Sequence, residues 1–208
     1  MSEPAAVPAN VPVAAVDLPR VRELAAEYRT ATGLPLCLVD LSGTPAWSLG
    51  TCPLCTRIPG SRKMGSLCRA HHRKGIEESF RWGEPYISVC PFGLVTFTVP
   101  LSRDGRLKAG LVSGFSVFPQ MERDIHEEAL ASLVRHGIRH RLGPRTRLRF
   151  RVVPSEVLRR NADLLFDLTG RHGVNDMKLI GESREKSMQQ FTIANYLADA
   201  RSGEQDLV

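Results

Sequence analysis

The sequence predicts an α+β fold: a central antiparallel sheet flanked by helices, with a helical extension at the C-terminal end. Two observations carry this. Three extended segments, YISVC, GLVTFTVPL and RLKAGLVSGFSVF, follow one another between residues 86 and 118 with only short turns between them. Connections that short join antiparallel neighbours, because a parallel pair needs a crossover of a dozen or more residues. Helical patterns also precede and follow this block instead of alternating with its strands, which is not the rhythm of a parallel βαβ sheet.

Residues 1–16, rich in Pro and Ala, lack a periodic apolar face and read as a flexible lead-in. They also lack a basic stretch followed by a solid apolar core, so they are not expected to be a signal peptide. Asp17 can cap a helix to about Ala31, with Leu18, Val21, Leu24, Ala25 and Tyr28 along one face and Gly33 just past its end. LPLCLVD, Leu34 to Asp40, is a short apolar run that ends in a Ser42-Gly43 turn. It reads as a buried strand with Cys37 as a small core residue. Gly50 to Gly65, rich in Gly, Pro and Cys, reads as an irregular loop, and a helix is expected from Ser66 to Arg81. In the meander the turns are Pro91-Phe92-Gly93 and Arg103-Asp104-Gly105, with Asp104-Gly105 the stronger hairpin signal. Helices follow at about Met121 to Arg135 and Ser155 to Thr169, the second with Leu158, Ala162, Leu165 and Phe166 facing the core. A last helix is expected from Asn175 to Ala200, with Met177, Ile180, Met188, Phe191, Ala194 and Leu197 as its apolar members. The domain is thus placed at residues 17–172, with a C-terminal helix or linker over 173–208. This order of elements is similar to that of PAS and GAF sensors.

At 208 residues, with 42% hydrophobic and 24% charged residues, the chain can bury a core without disulfides. No run approaches the ~20 apolar residues that span a bilayer. A cytoplasmic setting is expected, where clustered cysteines bind metal or do redox chemistry more often than they form structural disulfides. The net charge is +6, much of it from Arg135, Arg139, Arg141, Arg145, Arg147, Arg149 and Arg151, with His136 and His140 among them. Nucleic-acid binding would call for a groove-entering helix or stacking aromatics beside such a strip. Aromatics are 6% of the chain, and Gly143 and Pro144 break the strip into loop. It reads as a solvated face or a partner-docking patch, and direct nucleic-acid binding is not expected.

The chemistry is concentrated in the cysteines. Cys52-Pro53-Leu54-Cys55 is followed by Cys68 and Cys90. A Cys-x-x-Cys knuckle lets two thiolates converge on one ion while the turn between them points its amides at the sulfurs. Four thiolates suit tetrahedral zinc and equally suit an iron–sulfur cluster. Cys68 is expected near a helix N-terminus, and Cys90 at the end of the strand that follows. His71, three residues after Cys68, could replace Cys90 as fourth ligand. The plainer reading leaves His71 and His72 in solvent on a polar helix. The remaining readings of the cysteines are reduced structural thiols, or a redox switch between Cys52 and Cys55. An enzyme is not expected. Gly110 to Gly114 lies in a strand pattern without the Lys-Ser/Thr of a phosphate-binding loop, and His126-Glu127-Glu128 is not a zinc-protease motif.

From Asp17 to about Phe118 the chain resembles the PocR ligand-binding domain of bacterial signalling proteins. The resemblance rests on the opening helix, LVDLSG, CPLCTRI, Cys68, CPFGLVTFTVPL and GRLKAGLVSGF. It implies a PAS-like domain that senses small molecules such as simple hydrocarbon derivatives and works with a DNA-binding or kinase output module. Two departures stand out: Pro91 where the family often has His, and Phe115 where it often has Gln. Both remove polar groups, so a diol-like ligand is not carried over. Within a PAS-like sheet the pocket would be lined by Pro100, Val112 and Gly114 and walled by Phe92, Phe97 and Phe115. Ordinary core is the other reading of these aromatics. The expectation is a signal-transduction sensor with a cysteine-bound metal centre, zinc favoured. The alternatives are a redox or gas sensor with an iron–sulfur cluster, and a zinc-containing nucleic-acid-binding module. A homodimer joined by the C-terminal helix is expected, together with an output domain or signalling partner.

Overall fold

The described residues of the computed structural model are 16–58, 61–139 and 148–205, with side chains of the last helix described to residue 195. Helix α1 (Leu18–Thr32) starts where Asp17 accepts the backbone N–H of Arg20, and ends at Gly33 in the left-handed conformation, φ 67°. Val21, Leu24, Ala25 and Tyr28 are its buried face, as its spacing predicts. Strand β1 (Leu36–Asp40) turns back into β2 (Pro45–Leu49), a strand the sequence reading did not contain. All five β2 residues are only half-buried, so no apolar/polar alternation marks it. The Asp40 carboxylate holds the turn by accepting the N–H groups of Ser42 and Thr44.

Helix α2 (Arg62–Trp82) begins four residues before the expected Ser66. The reason is a missed cap: Ser61 Oγ accepts the N–H of Met64, which draws Gly65 out of the loop and into the helix. Cys68 therefore sits in the second turn of α2 rather than at its N-terminus. Strands β3 (Tyr86–Val89), β4 (Val95–Arg103) and β5 (Arg106–Val117) form the predicted meander. Cys90 lies one residue past β3, in a tight turn where its N–H donates to Leu94 O and its own carbonyl accepts from Gly93. At the β4–β5 turn, Asp104 (φ 54°) and Gly105 (φ 68°) are both left-handed, the two-residue hairpin that Asp-Gly favours.

The sheet order is β2-β1-β5-β4-β3, all antiparallel. A two-residue β6 (Arg151–Val152) pairs parallel with Ser116 and Val117 at the end of β5. It falls inside the arginine strip and is too short to leave a pattern. Arg135, Arg139, Arg149 and Arg151 of that strip are exposed. His140, Arg141, Gly143, Pro144, Arg145 and Arg147 lie outside the described residues, as does nearly all of the lead-in, residues 1–15.

A 3₁₀ turn (Pro119–Met121) precedes α3 (Ile125–Arg135), which therefore starts four residues after the expected Met121. Helix α4 (Ser155–Arg171) follows, and then α5 (Met177–Gln205). The α+β class with a central sheet flanked by helices is the architecture observed. One sheet face, with Leu36, Leu38, Phe97, Val99 and Leu111, packs on α1 and α4 through Leu24, Tyr28, Leu158 and Leu165. The other face carries α2, and α5 lies on α2. Of the apolar members expected for α5, Ile180 is buried, Met177, Met188, Phe191 and Ala194 are exposed, and the side chain of Leu197 lies outside the described residues. No helix among the described residues is long and apolar enough to cross a membrane.

Candidate ligand cavity and thiol cluster

The cavity is shaped by a defect in the sheet. Val95 pairs with Ser116 and Thr96 with Gly114, so Phe115 is an extra residue with no partner on β4. Gly114 (φ 96°) and Phe115 (φ 47°) are both left-handed there. Such a bulge bends the strand and re-aims a side chain. A Cβ at position 114 would lie 2.9 Å from the Val95 carbonyl oxygen, so the bend needs glycine. Phe115 turns into a cavity of about 180 Å³ enclosed by the sheet, α2 and the loop after β2.

Helix α2 supplies Met64, Cys68, His71 and His72 to the lining, a single stripe at i, i+4, i+7 and i+8. The loop gives Cys52, Leu54 and Cys55, and the β3–β4 turn gives Cys90, Phe92 and Leu94. Cys37 and Thr96 line the sheet side. Among the described residues that line it there is no Asp, Glu, Lys or Arg. All four cysteines singled out from the sequence thus meet at one cavity, with His71 beside them. Among the pocket residues expected from the sequence, Phe92 and Phe115 line it. Phe97 lies across the sheet in the α1/α4 core, and Val112 packs with Val39 and Ile76 under α2. Gly114 makes the bulge, and Pro100 gives its carbonyl to Asn175.

Two cysteines sit in matching knuckles. In Cys52-Pro53-Leu54-Cys55 the backbone N–H groups of Leu54 and Cys55 are directed at the Cys52 sulfur. In Cys90-Pro91-Phe92-Gly93-Leu94 those of Phe92 and Leu94 are directed at the Cys90 sulfur. Such donors favour thiolate, but the surroundings oppose it. The Cys55 side chain pushes the Cys52 thiol well above its ordinary range, with burial and the Cys55 charge adding to it. Cys55 is lowered by its hydrogen bond with Cys52, yet Cys68, burial and the charges of Cys68 and Cys90 carry it up to about 12. Burial raises Cys90 to about 11, and burial with the Cys52 charge raises Cys37 to about 12. All five cysteines are free thiols. Among the described residues, no three His, Cys, Asp or Glu side chains are gathered tightly enough to hold an ion as they stand.

The two histidines are not solvated, which corrects the plainer reading of them. His72 is 8% exposed and its Nδ1 donates to the Gly43 carbonyl at 3.2 Å, while His71 Nε2 lies 2.9 Å from Thr96 Oγ1. Burial holds both below the usual range, His72 at about 4. Cys37, Thr96 and Leu94 were missed as lining residues. The alternation of LPLCLVD carried the signal for Cys37: Leu36 and Leu38 face α1, so Cys37 must face α2.

An antiparallel sheet with a small cavity under one helix has a build that suits a signal-sensing module. The chain matches the family model described as the sensory domain found in PocR over residues 14–170, and it belongs to that family. Its role is signal-transduction sensing. No curated protein and no solved structure matches it.

Proposed function

We propose that this sensory domain binds a small uncharged molecule in the cavity beside a metal centre of Cys52, Cys55, Cys68 and Cys90. The observation that carries the metal reading is that Cys52, Cys55, Cys68 and Cys90, from a loop, a helix and a turn, line one cavity. The fit to a soft cation is chemical. Thiols that raise one another's pKa resist becoming thiolates together, and a bound divalent ion reverses that by deprotonating each ligand. Sulfur and imidazole donors with no carboxylate favour zinc or an iron–sulfur cluster over magnesium or calcium. Closing four sulfurs on one ion requires rotation of the cysteine side chains from the positions they hold here.

The small-molecule reading rests on the lining. At about 180 Å³ the cavity falls below the roughly 300–1,000 Å³ of drug-sized pockets, and its described residues offer no charged partner for an anion. His71, Thr96 and Phe115 are the recognition groups of this reading. A homodimer is part of it too, because Met188, Phe191 and Ile193 are exposed on α5. The signal is read by an output module or partner protein.

Elemental analysis of anaerobically purified protein tests the centre. One zinc per chain is expected, lost in Cys52→Ser, Cys55→Ser, Cys68→Ser and Cys90→Ser. A brown protein with visible absorption moves the reading to an iron–sulfur cluster. Full zinc in Cys90→Ser gives the fourth position to His71. Protein free of any metal removes the centre. Matched pairs of neutral and carboxylated small molecules in a thermal-shift assay test the pocket, with stabilisation expected only from neutral members.

A further inference from the structure

We infer that α2 is a lever that couples the cavity to α5, with its fulcrum where two glycines let helix and sheet touch. A Cβ at Gly75 would lie 2.5 Å from Thr98 Oγ1, and one at Gly110 would lie 2.5 Å from Ile76 Cγ1. At that point the helix has no room to sink toward β4 or β5. Cys68, on the cavity, is seven residues before Gly75, and Trp82 is seven residues after it. At ~1.5 Å per residue the two arms are each about 10 Å long.

The far arm holds α5. A Cβ at Gly83 would lie 2.8 Å from Arg184 Cβ and 2.9 Å from the Ile180 carbonyl oxygen, so α5 presses on the end of α2. Trp82 meets the edge of Phe191, with ring centroids 6.2 Å apart. Helix α5 cannot slide along with α2, because Asn175 ties its start to Ser102 and Pro100 of β4. A tilt of α2 must therefore swing α5 about Asn175. Past Ser187 every described side chain of α5 is exposed, so that swing is carried out of the domain. A change at Met64, Cys68, His71 or His72 becomes a movement at Phe191. The coupling does not depend on which ligand or ion causes it.

Coupling is reciprocal, so loosening the α5 end must loosen the cavity. Every cysteine of the chain lines that cavity, which makes thiol modification a direct report on it. The full chain, held in chelator, is reacted with 4,4′-dithiodipyridine, and each cysteine is followed by peptide mass mapping. Phe191→Ala is compared with wild type and with Glu185→Ala, an exposed position on the same helix. Cys68 should react about fivefold faster in Phe191→Ala, the lower end of ordinary coupling between sites, with hydrogen exchange in α1 and α4, on the opposite face of the sheet, unchanged. Equal Cys68 rates in all three proteins would overturn the lever. So would a rise accompanied by faster exchange in α1 and α4, which marks general loosening. Gly75→Ala is a second variant: by displacing the fulcrum it should raise both the Cys68 rate and hydrogen exchange in α5. Because the chelated protein is used, loss of the metal reading leaves this test intact.

Discussion

Replacing Asn175 with Ala removes the side-chain anchor of α5 and leaves the Asp176 N–H on Ser102 as the tie that remains. Asn175 is 8% exposed, and its Oδ1 accepts both the N–H and the hydroxyl of Ser102. Its Nδ2 donates to the Pro100 carbonyl at 3.0 Å and to Thr169 Oγ1 at 3.3 Å. One amide thus joins β4, the end of α4 and the start of α5. The two hydroxyls can turn to other partners, but the Ser102 N–H and the Pro100 carbonyl lose theirs. A buried group left without its partner costs about 1–3 kcal/mol, so the pair costs about 3 kcal/mol. In a chain of this size each kcal/mol lowers Tm by about 2–4 °C, which gives a fall of about 6–12 °C. Differential scanning calorimetry measures that fall. Hydrogen exchange should show the α5 amides between Met177 and Ser187 losing protection before those of β4. A fall under about 2 °C with unchanged α5 exchange would refute the anchor, and with it the pivot that the lever needs.

Leu54 lies inside the Cys-x-x-Cys knuckle yet is fully buried with Met64, Phe92, Ala129 and Leu133. Leu54→Ala should cost about 2–5 kcal/mol in a urea titration run in chelator, as for other buried leucines; a loss under about 1 kcal/mol would mean the loop is held only by metal. Tyr28 is fully buried and burial raises its phenol to about 12, against the lowering effect of its hydrogen bond with Ser113. A folded-state pKa above the unfolded value near 10 gives stability that is complete below pH 10 and lost as pH climbs through 12, amounting to about 3 kcal/mol for two units. Thermal melts of wild type and Tyr28→Phe should therefore converge over that window, and parallel curves would contradict the shift. Light scattering should give a dimer for the full chain and a smaller mass for a chain ending at Asn175; equal masses would show that α5 does not join the subunits.

The legible parts of the fold were those whose local chemistry admits one answer. Asp17 before an apolar stripe, Gly33 after it, and Asp104-Gly105 between two strand patterns each set a backbone conformation without help from distant residues. The missed parts depended on tertiary neighbours. Strand β2 exists because β1 offers it an edge, and nothing in Pro45–Leu49 alternates. The bulge at Phe115 can be read only once β4 and β5 are in register, and that register decides that Phe115 enters the cavity while Phe97 faces the opposite core. Spacing was enough to group the four cysteines, because one Cys-x-x-Cys knuckle, a helix position and a strand end leave few arrangements. It did not reveal Cys37, which joins them from a strand more than ten residues upstream.

The packed face of helix α2 was not legible, and the reason bears on how the domain works. The face it turns to the sheet and cavity is Met64, Cys68, His72, Gly75, Ile76 and Ser79, where α1 presents Val21, Leu24, Ala25 and Tyr28. Small and polar side chains give a weak apolar stripe, so the sequence looks like a solvated helix with exposed histidines. The face α2 turns inward is therefore less apolar, residue for residue, than that of α1. The elements that move in a switching protein are drawn from its less stable parts. On the lever inferred above, the residues that make α2 hard to recognise as packed are the ones along which it would tilt. Gly75 and Gly110 add close contact at one point without adding grip along the rest of its length. A Leu at position 72 or 79 would make the helix easier to predict and would also fix it to the sheet, at the expense of the motion a sensor needs.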